Sequence, residues 1–171
     1  VNQSILSSIS EDIAWLFKNN KEVLIVSSGA IALGRKKIKL SKNLSLAESQ
    51  ALAAHGQIEL MSAWKKHLNK FSIPIGQILL TPRDTELKIS SKNATQTVSK
   101  LLEAGCLPII NENDSTATDE IKFGDNDLLA AKVAKLIGAD LLIVLSTVDG
   151  LYTSEADVQT RRLSSLIKEV N

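Results

Sequence analysis

Three uninterrupted apolar runs of strand length restrict this chain more than any other feature: Val23-Leu24-Ile25-Val26, the stretch from Ile73 to Leu80, and Leu141-Leu142-Ile143-Val144-Leu145. A strand with one wet face alternates apolar and polar residues, and these runs suit parallel strands covered on both faces better. A fourth run, Cys106-Leu107-Pro108-Ile109-Ile110, reads the same way provided that Pro108, which has no N–H, sits near the strand's start or where that donor is unused. Between the runs the apolar period becomes helical. Ile5, Ile9, Ile13, Leu16 and Phe17 predict a helix over 5–20 capped by Ser4. Ala47, Ala51, Ala54, Ile58, Met61, Trp64 and Leu68 predict a longer one over 46–70. Its small residues near the start permit close contact, and Gly56 costs it about 1 kcal/mol relative to Ala. Ala94, Val98, Leu101 and Leu102 predict a third helix stopped by Gly105, and Leu129, Val133, Leu136 and Ile137 a fourth stopped by Gly138. The order α-β-α-α-β-α-β-loop-α-β predicts an α/β fold with a mainly parallel sheet between helical layers.

With 171 residues, the chain has the length of about one domain. Its 44% hydrophobic and 23% charged residues, with eight Gly and three Pro, argue against disorder, collagen and a cysteine-stapled miniprotein. Twenty basic residues stand against 19 acidic ones, a net charge of +1, so no broad field exists for a nucleic-acid backbone or an anionic membrane. The basic cluster Arg35, Lys36, Lys37, Lys39 and Lys42 reads as a solvated helix end and loop. Cys106 has no partner for an internal disulfide and reads as a buried structural thiol. No run approaches the roughly 20 apolar residues of a membrane span, and the first residues lack the order of a secretory signal. A soluble, cytoplasmic protein is expected. The chain begins without Met and ends in a helix-like pattern, so either end is open to continuation.

In a parallel α/β sheet, ligands bind beyond the carboxyl ends of the strands. Ser27-Ser28-Gly29-Ala30 follows the first apolar run and offers two hydroxyls, a flexible residue and the donors of a following helix to a carboxylate or phosphate. The same three residues also fit an ordinary helix-capping turn. Gly29 and Gly34 have the spacing of a Walker loop, but Arg35 and Lys36 stand where its Lys and Ser/Thr belong, so a P-loop is rejected. The segment 111–127, Asn-Glu-Asn-Asp-Ser-Thr-Ala-Thr-Asp-Glu-Ile-Lys-Phe-Gly-Asp-Asn-Asp, holds six carboxylates and one lysine. Such density beside a buried strand calls for compensation by solvent, an ammonium group, Mg²⁺ or lysines. Asp114 and Asp127 suit cationic partners, Asn111 and Asn126 add polarity without charge, and Lys122 is the one cation for a transferring phosphoryl group. A solvated acidic turn, with Asp125 or Asn126 capping the next helix, fits the same composition. EF-hand spacing is lacking, and aromatics at 4% supply no platform for sugars. Ser146-Thr147-Val148-Asp149-Gly150 ends the last run in hydroxyls and a turn, as a nucleotide edge does. His55 and His67, twelve apart, form neither a metal pair nor a triad and are expected to satisfy local hydrogen bonds or face water.

Taken together, Val26-Ser27-Ser28-Gly29-Ala30-Ile31-Ala32, Ala54-His55-Gly56-Gln57, Pro108-Ile109-Ile110-Asn111-Glu112-Asn113-Asp114, Lys122-Phe123-Gly124-Asp125-Asn126-Asp127 and Gly138-Ala139-Asp140 resemble the glutamate-phosphorylating branch of the amino acid kinase family. The resemblance runs through almost the whole chain, with Gln77-Ile78-Leu79-Leu80-Thr81 and Gly150-Leu151-Tyr152-Thr153 matching as well. It implies a three-layer αβα sandwich and transfer of the γ-phosphoryl group of MgATP to the side-chain carboxylate of glutamate, the first step of proline synthesis. It implies that Ser27 contacts glutamate, that Asp114 meets its amino group and that Asn126 holds another polar end. Asn111 and Asp125 join that substrate-binding set. Lys122 lies near the phosphoryl route, Asp127 positions glutamate or catalytic lysines, and Ser146 and Thr147 line the nucleotide. Thr147 departs from the Thr-Asp common in relatives, which leaves the nucleotide preference open. The resemblance further implies a homo-oligomer and proline as a feedback inhibitor, while the charge balance argues for no nucleic-acid or membrane partner for this chain. Family members carry lysine-bearing phosphate segments before and after the stretch present here, so 1–171 reads as an incomplete kinase domain. Sister kinases of N-acetylglutamate or carbamate, and a noncatalytic amino-acid-binding protein, are the rival readings.

Overall fold

The strand Leu107–Glu112 (β3) organises the molecule. In the computed structural model, which describes residues 2–41, 43–116, 125–145, 151–152 and 166–167, β3 lies in the middle of a three-stranded parallel sheet. Its neighbours are β1 (Ile25–Val26) and β2 (Ile75–Leu80), in the order β1-β3-β2. Pro108 is the second residue of β3, ahead of the point where the ladder to β1 begins at Ile25 and Ile109. A proline is thus tolerated in a central strand, in the place the sequence required.

Side chains alternate across a strand, and β3 shows the consequence. Leu107 and Ile109 enter one core with Leu6 and Ile13 of α1 (Gln3–Lys18) and Leu60, Trp64 and Leu68 of α3 (Leu46–Leu68). Ile110 enters a second core with Val98 of α5 (Lys88–Glu103) and Leu129 and Val133 of α6 (Asp125–Ile137). The expected α/β sandwich with helices on both faces of a mainly parallel sheet is therefore present. Two helices complete the main body: α2 (Ala30–Lys37) leaves the end of β1, and the short α4 (Pro82–Glu86) leaves the end of β2. A separate antiparallel pair joins β4 (Leu151–Tyr152) to β5 (Leu166–Ile167). Gly105 and Gly138 stop α5 and α6 with φ of +68°, as their placement predicts.

Several local expectations are corrected. The cap of α1 is Asn2, whose side chain accepts from the backbone N–H of Ser4 and Ile5, because the helix begins at Gln3 and leaves Ser4 inside it. The core face of α3 is Leu52, Ala53, Gly56, Gln57, Leu60, Trp64 and Leu68. Ala51 and Ala54 are exposed and Ile58 is 66% exposed, so the buried stripe is rotated from the expected one. Glycine contact explains the rotation: a Cβ on Gly56 would lie 1.7 Å from the carbonyl oxygen of Ala30, and one on Gly34 would lie 2.1 Å from that of Leu52. Helices α2 and α3 cross backbone to backbone at these two residues. The apolar run 141–145 joins no strand among the described residues, and its side chains are 43–75% exposed. Hydrophobic composition alone does not make a strand; a ladder needs a neighbour to receive its N–H and C=O groups.

Candidate functional site

The parallel register Val26↔Ile110 continues one step further, as the backbone N–H of Ser27 donates to the carbonyl of Ile110 at 2.9 Å. Ser27 and Asn111 are therefore neighbours at the carboxyl ends of adjacent strands, which run about 4.8 Å apart. Val23 and Ile25 belong to the α1–α3 core and Leu24 and Val26 to the α5–α6 core, so Ser27, next in the alternation, faces α3. Asn111 follows Leu107 and Ile109 onto the same face. Helix α3 meets both. The indole Nε1 of Trp64 donates to Ser27 Oγ at 3.0 Å, and Asn111 Nδ2 donates to Gln57 Oε1 at 2.8 Å. Asn111 is buried, as is Gln57, and the second polar atom of each carboxamide, Asn111 Oδ1 and Gln57 Nε2, has no partner among the described residues.

After Ser27 and the exposed Ser28, Gly29 turns the chain at φ +109° and ψ +6° into α2. Nothing lies within 4 Å of a Cβ built there, so it is the left-handed conformation that calls for glycine. A cavity of about 250 Å³ opens beside this loop, lined by Leu6, Leu33, Leu60 and Trp64 together with the polar Ser27, Ser28 and Lys36. Arg35, Lys36 and Lys37 are exposed, as expected of a solvated helix end.

Beyond Asn111 the chain turns through a 3₁₀ segment, Asp114–Thr116, which packs against α3. Asp114 is half-buried there. Residues 111–116 thus leave the sheet beside the hydroxyl loop, and 117–124 lie outside the described residues. Asp125 is the first residue of α6, with its side chain outside the described residues. Asn126 is half-buried with its Oδ1 buried and without a partner among the described residues, and Asp127 is exposed on the first turn of α6. That turn is on the opposite side of the sheet from α3, since α6 packs on Ile110. Lys122, Ser146 and Thr147 lie outside the described residues. Among the described residues no group of three or more His, Cys, Asp or Glu is placed to hold a metal.

Two residues in contact with this arrangement were given no role from the sequence: Gln57 and Trp64. The usable signal was a glutamine seven positions before a tryptophan on one helix, a spacing that returns both to the same face. His67 Nε2 is 2.9 Å from Gln3 Oε1 of α1, while His67 Nδ1 and His55 Nε2 are buried without a partner among the described residues. Cys106 keeps part of its surface exposed, and burial pushes its thiol up from the ordinary range, which disfavours the reactive thiolate. No described helix is long and apolar enough to cross a membrane.

A parallel sheet between helical layers, with polar side chains collected at its carboxyl edge, defines an α/β sandwich protein. Residues 2–171 match the model of the amino acid kinase family, and the chain belongs to that family. It is 50% identical over 171 residues to the glutamate 5-kinase of Pelagibacter ubique, covering 99% of this chain and 46% of that protein. Against the glutamate 5-kinase of Agrobacterium fabrum the identity is 57% over 150 residues, covering 87% of this chain and 39% of that protein. For that of Nitrobacter hamburgensis it is 54% over 153 residues, 89% and 40%. The chain spans less than half the length of these curated relatives.

Proposed function

We propose that this chain is the glutamate-binding part of an enzyme that transfers the γ-phosphoryl group of ATP to the side-chain carboxylate of L-glutamate, giving glutamyl 5-phosphate. The observation that carries this reading is the pairing of Ser27 with Asn111 at the strand ends, with Asp114 three residues on, in a chain half-identical to glutamate 5-kinases. A zwitterionic substrate needs a donor for its carboxylate and acceptors for its ammonium group within a few ångströms. Ser27 and Ser28 supply the first, and Asn111 and Asp114 the second.

The reaction itself asks little proton chemistry of the protein. A carboxylate oxygen, already ionised, attacks the γ-phosphorus; the new P–O bond forms as the bond to the bridging oxygen breaks, and ADP leaves with the electron pair. The protein's task is to hold two anions in line and to neutralise charge on the transferring group. Lys122 is assigned to that charge, Asp127 to positioning, Asp125 and Asn126 to the substrate, and Ser146 and Thr147 to the nucleotide. Mg²⁺ would come with ATP and neutralise charge on its phosphates; among the described residues no group of three or more His, Cys, Asp or Glu is placed to hold a metal. With this reading go a homo-oligomer, a cytoplasmic location, proline as an inhibitor, and residues 1–171 as an incomplete kinase domain.

Hydroxylamine trapping of acyl phosphate tests the reading, with the complete protein offered ATP and glutamate, N-acetylglutamate or carbamate in turn. Hydroxamate with glutamate alone is expected; its absence with glutamate rejects the assignment. Asp114→Ala should weaken glutamate binding, and Lys122→Ala should lower kcat more than it raises KM. An unchanged glutamate dependence in the first, or an unaltered rate in the second, removes that residue from its role.

A further inference from the structure

We propose that α3 presets the hydrogen-bonding polarity of both strand ends, with Gln57 fixing the Asn111 carboxamide as an acceptor and Trp64 fixing the Ser27 hydroxyl as a donor toward the ligand. The inference rests on the glutamate reading above and assigns to two residues a role exerted through Asn111 and Ser27.

An indole N–H is a donor and nothing else, so the 3.0 Å contact from Trp64 commits Ser27 Oγ to accepting. The hydroxyl hydrogen is then turned toward a different acceptor. Gln57 presents its carbonyl oxygen to Asn111 Nδ2 at 2.8 Å, which leaves Asn111 Oδ1 as the free atom of that side chain. This oxygen is buried and unpartnered among the described residues, and the burial of an unmatched acceptor is unfavourable until an N–H donor reaches it. Strand register places the donating Ser27 and the accepting Asn111 next to each other. One helix holds both because Gln57 and Trp64 are seven residues apart, two turns along a single face. An adjacent face of α3 is held close to α2 by the Gly34 and Gly56 contacts, which limits the freedom of either hydrogen bond to drift. A ligand that offers an acceptor beside a donor, as an amino acid offers carboxylate beside ammonium, matches this pair. A dicarboxylate without the amine matches only half of it.

Glutarate, which is glutamate without the amine, separates the two halves. Glutamate KM and glutarate Ki are measured on the full-length enzyme as wild type, Gln57→Met, Gln57→Glu and Trp64→Phe, with kcat, KM for ATP and Tm recorded for each. Gln57→Met should lower the preference for glutamate over glutarate about tenfold, a single hydrogen bond's share, with kcat and KM for ATP within about twofold. Gln57→Glu keeps an acceptor facing Asn111 Nδ2 and should restore the preference to within about threefold of wild type. Trp64→Phe should weaken both acids alike, about threefold to fivefold, because the carboxylate is common to them. An unchanged preference in folded Gln57→Met, or a loss that Gln57→Glu does not restore, overturns the inference while the glutamate reading stands. Where Gln57→Met fails to fold, a tenfold loss of preference in folded Gln57→Glu overturns it instead. A wild-type enzyme with no glutamate-dependent turnover removes both the reading and the inference.

Discussion

Gly56→Ala puts the close α2–α3 crossing to a quantitative test. A methyl group at this position would sit 1.7 Å from Ala30 O, 2.7 Å from Ala30 C and 2.6 Å from Gly34 N, all backbone atoms that have no rotamer to change. Ordinary contact begins at 3.4 Å, so the two helices must separate by more than an ångström to admit it. Overpacking of this kind costs about 1–3 kcal/mol, and a backbone-to-backbone clash belongs at the upper end. The better helix propensity of Ala returns about 1 kcal/mol, leaving a net loss of about 2 kcal/mol. For a chain of this size that is a fall in Tm of roughly 4–8 °C. Because Ala30 follows the Ser27-Ser28-Gly29 turn directly, the displacement should also reach the loop and raise KM for glutamate in the full-length enzyme. Gly34→Ala, with its Cβ 2.1 Å from Leu52 O, demands the same separation. Once the helices have parted for one methyl the second enters at lower cost, so the double variant should lose less stability than the two single variants together. Urea and thermal unfolding followed by far-ultraviolet circular dichroism measure all three. A Gly56→Ala protein as stable as wild type, or more so, would refute the reasoning, since propensity alone would then account for the site.

Ile110→Ala, at a fully buried position of the central strand facing α5 and α6, should lower stability by about 2–5 kcal/mol in urea unfolding. Hydrogen bonds from Ser45 hold Glu48 below its ordinary pKa of 4.5, those from Thr81 hold Asp84 below 3.8, and Lys132 lowers Glu86. A carboxylate depressed on folding stabilises the native state above its unfolded pKa and loses that contribution as pH falls through the folded one, so the urea midpoint should decline on acidification below about pH 4.5. Thr81→Ala, which removes half of the box that caps α4, should cost about 1 kcal/mol at pH 7 and flatten this acid limb; a slope identical to wild type would exclude Asp84 from it. Trp15 is 64% exposed and Trp64 is 5% exposed, so acrylamide should quench about half the tryptophan emission readily. Trp15→Phe should leave a blue-shifted, protected signal, and full quenching in that variant would show Trp64 open to solvent.

Much of the architecture could be read from order along the chain. The runs at 23–26, 73–80 and 106–110 became parallel strands, and α5 and α6 stopped at Gly105 and Gly138, because strand-length burial, helical period and the left-handed tolerance of glycine are local properties. The candidate site was partly legible for the same reason: polar residues directly after an apolar strand have only the sheet's carboxyl edge to occupy, which brought Ser27 and Asn111 together. The rotation of α3 was not legible. Periodicity reports the angle between residues on a helix and not which of two overlapping stripes meets a neighbour, and Gly34 on a different element decided it. Residues 141–145 have strand composition but join no ladder among the described residues, since a ladder is a bond to another segment. Gln57 and Trp64 became positioning residues only when packing laid α3 across the ends of β1 and β3. Local chemistry, in short, determined the elements of this protein and where its polar edge lies; the direction in which each edge side chain donates or accepts was decided by contacts between residues 37 and 54 positions apart.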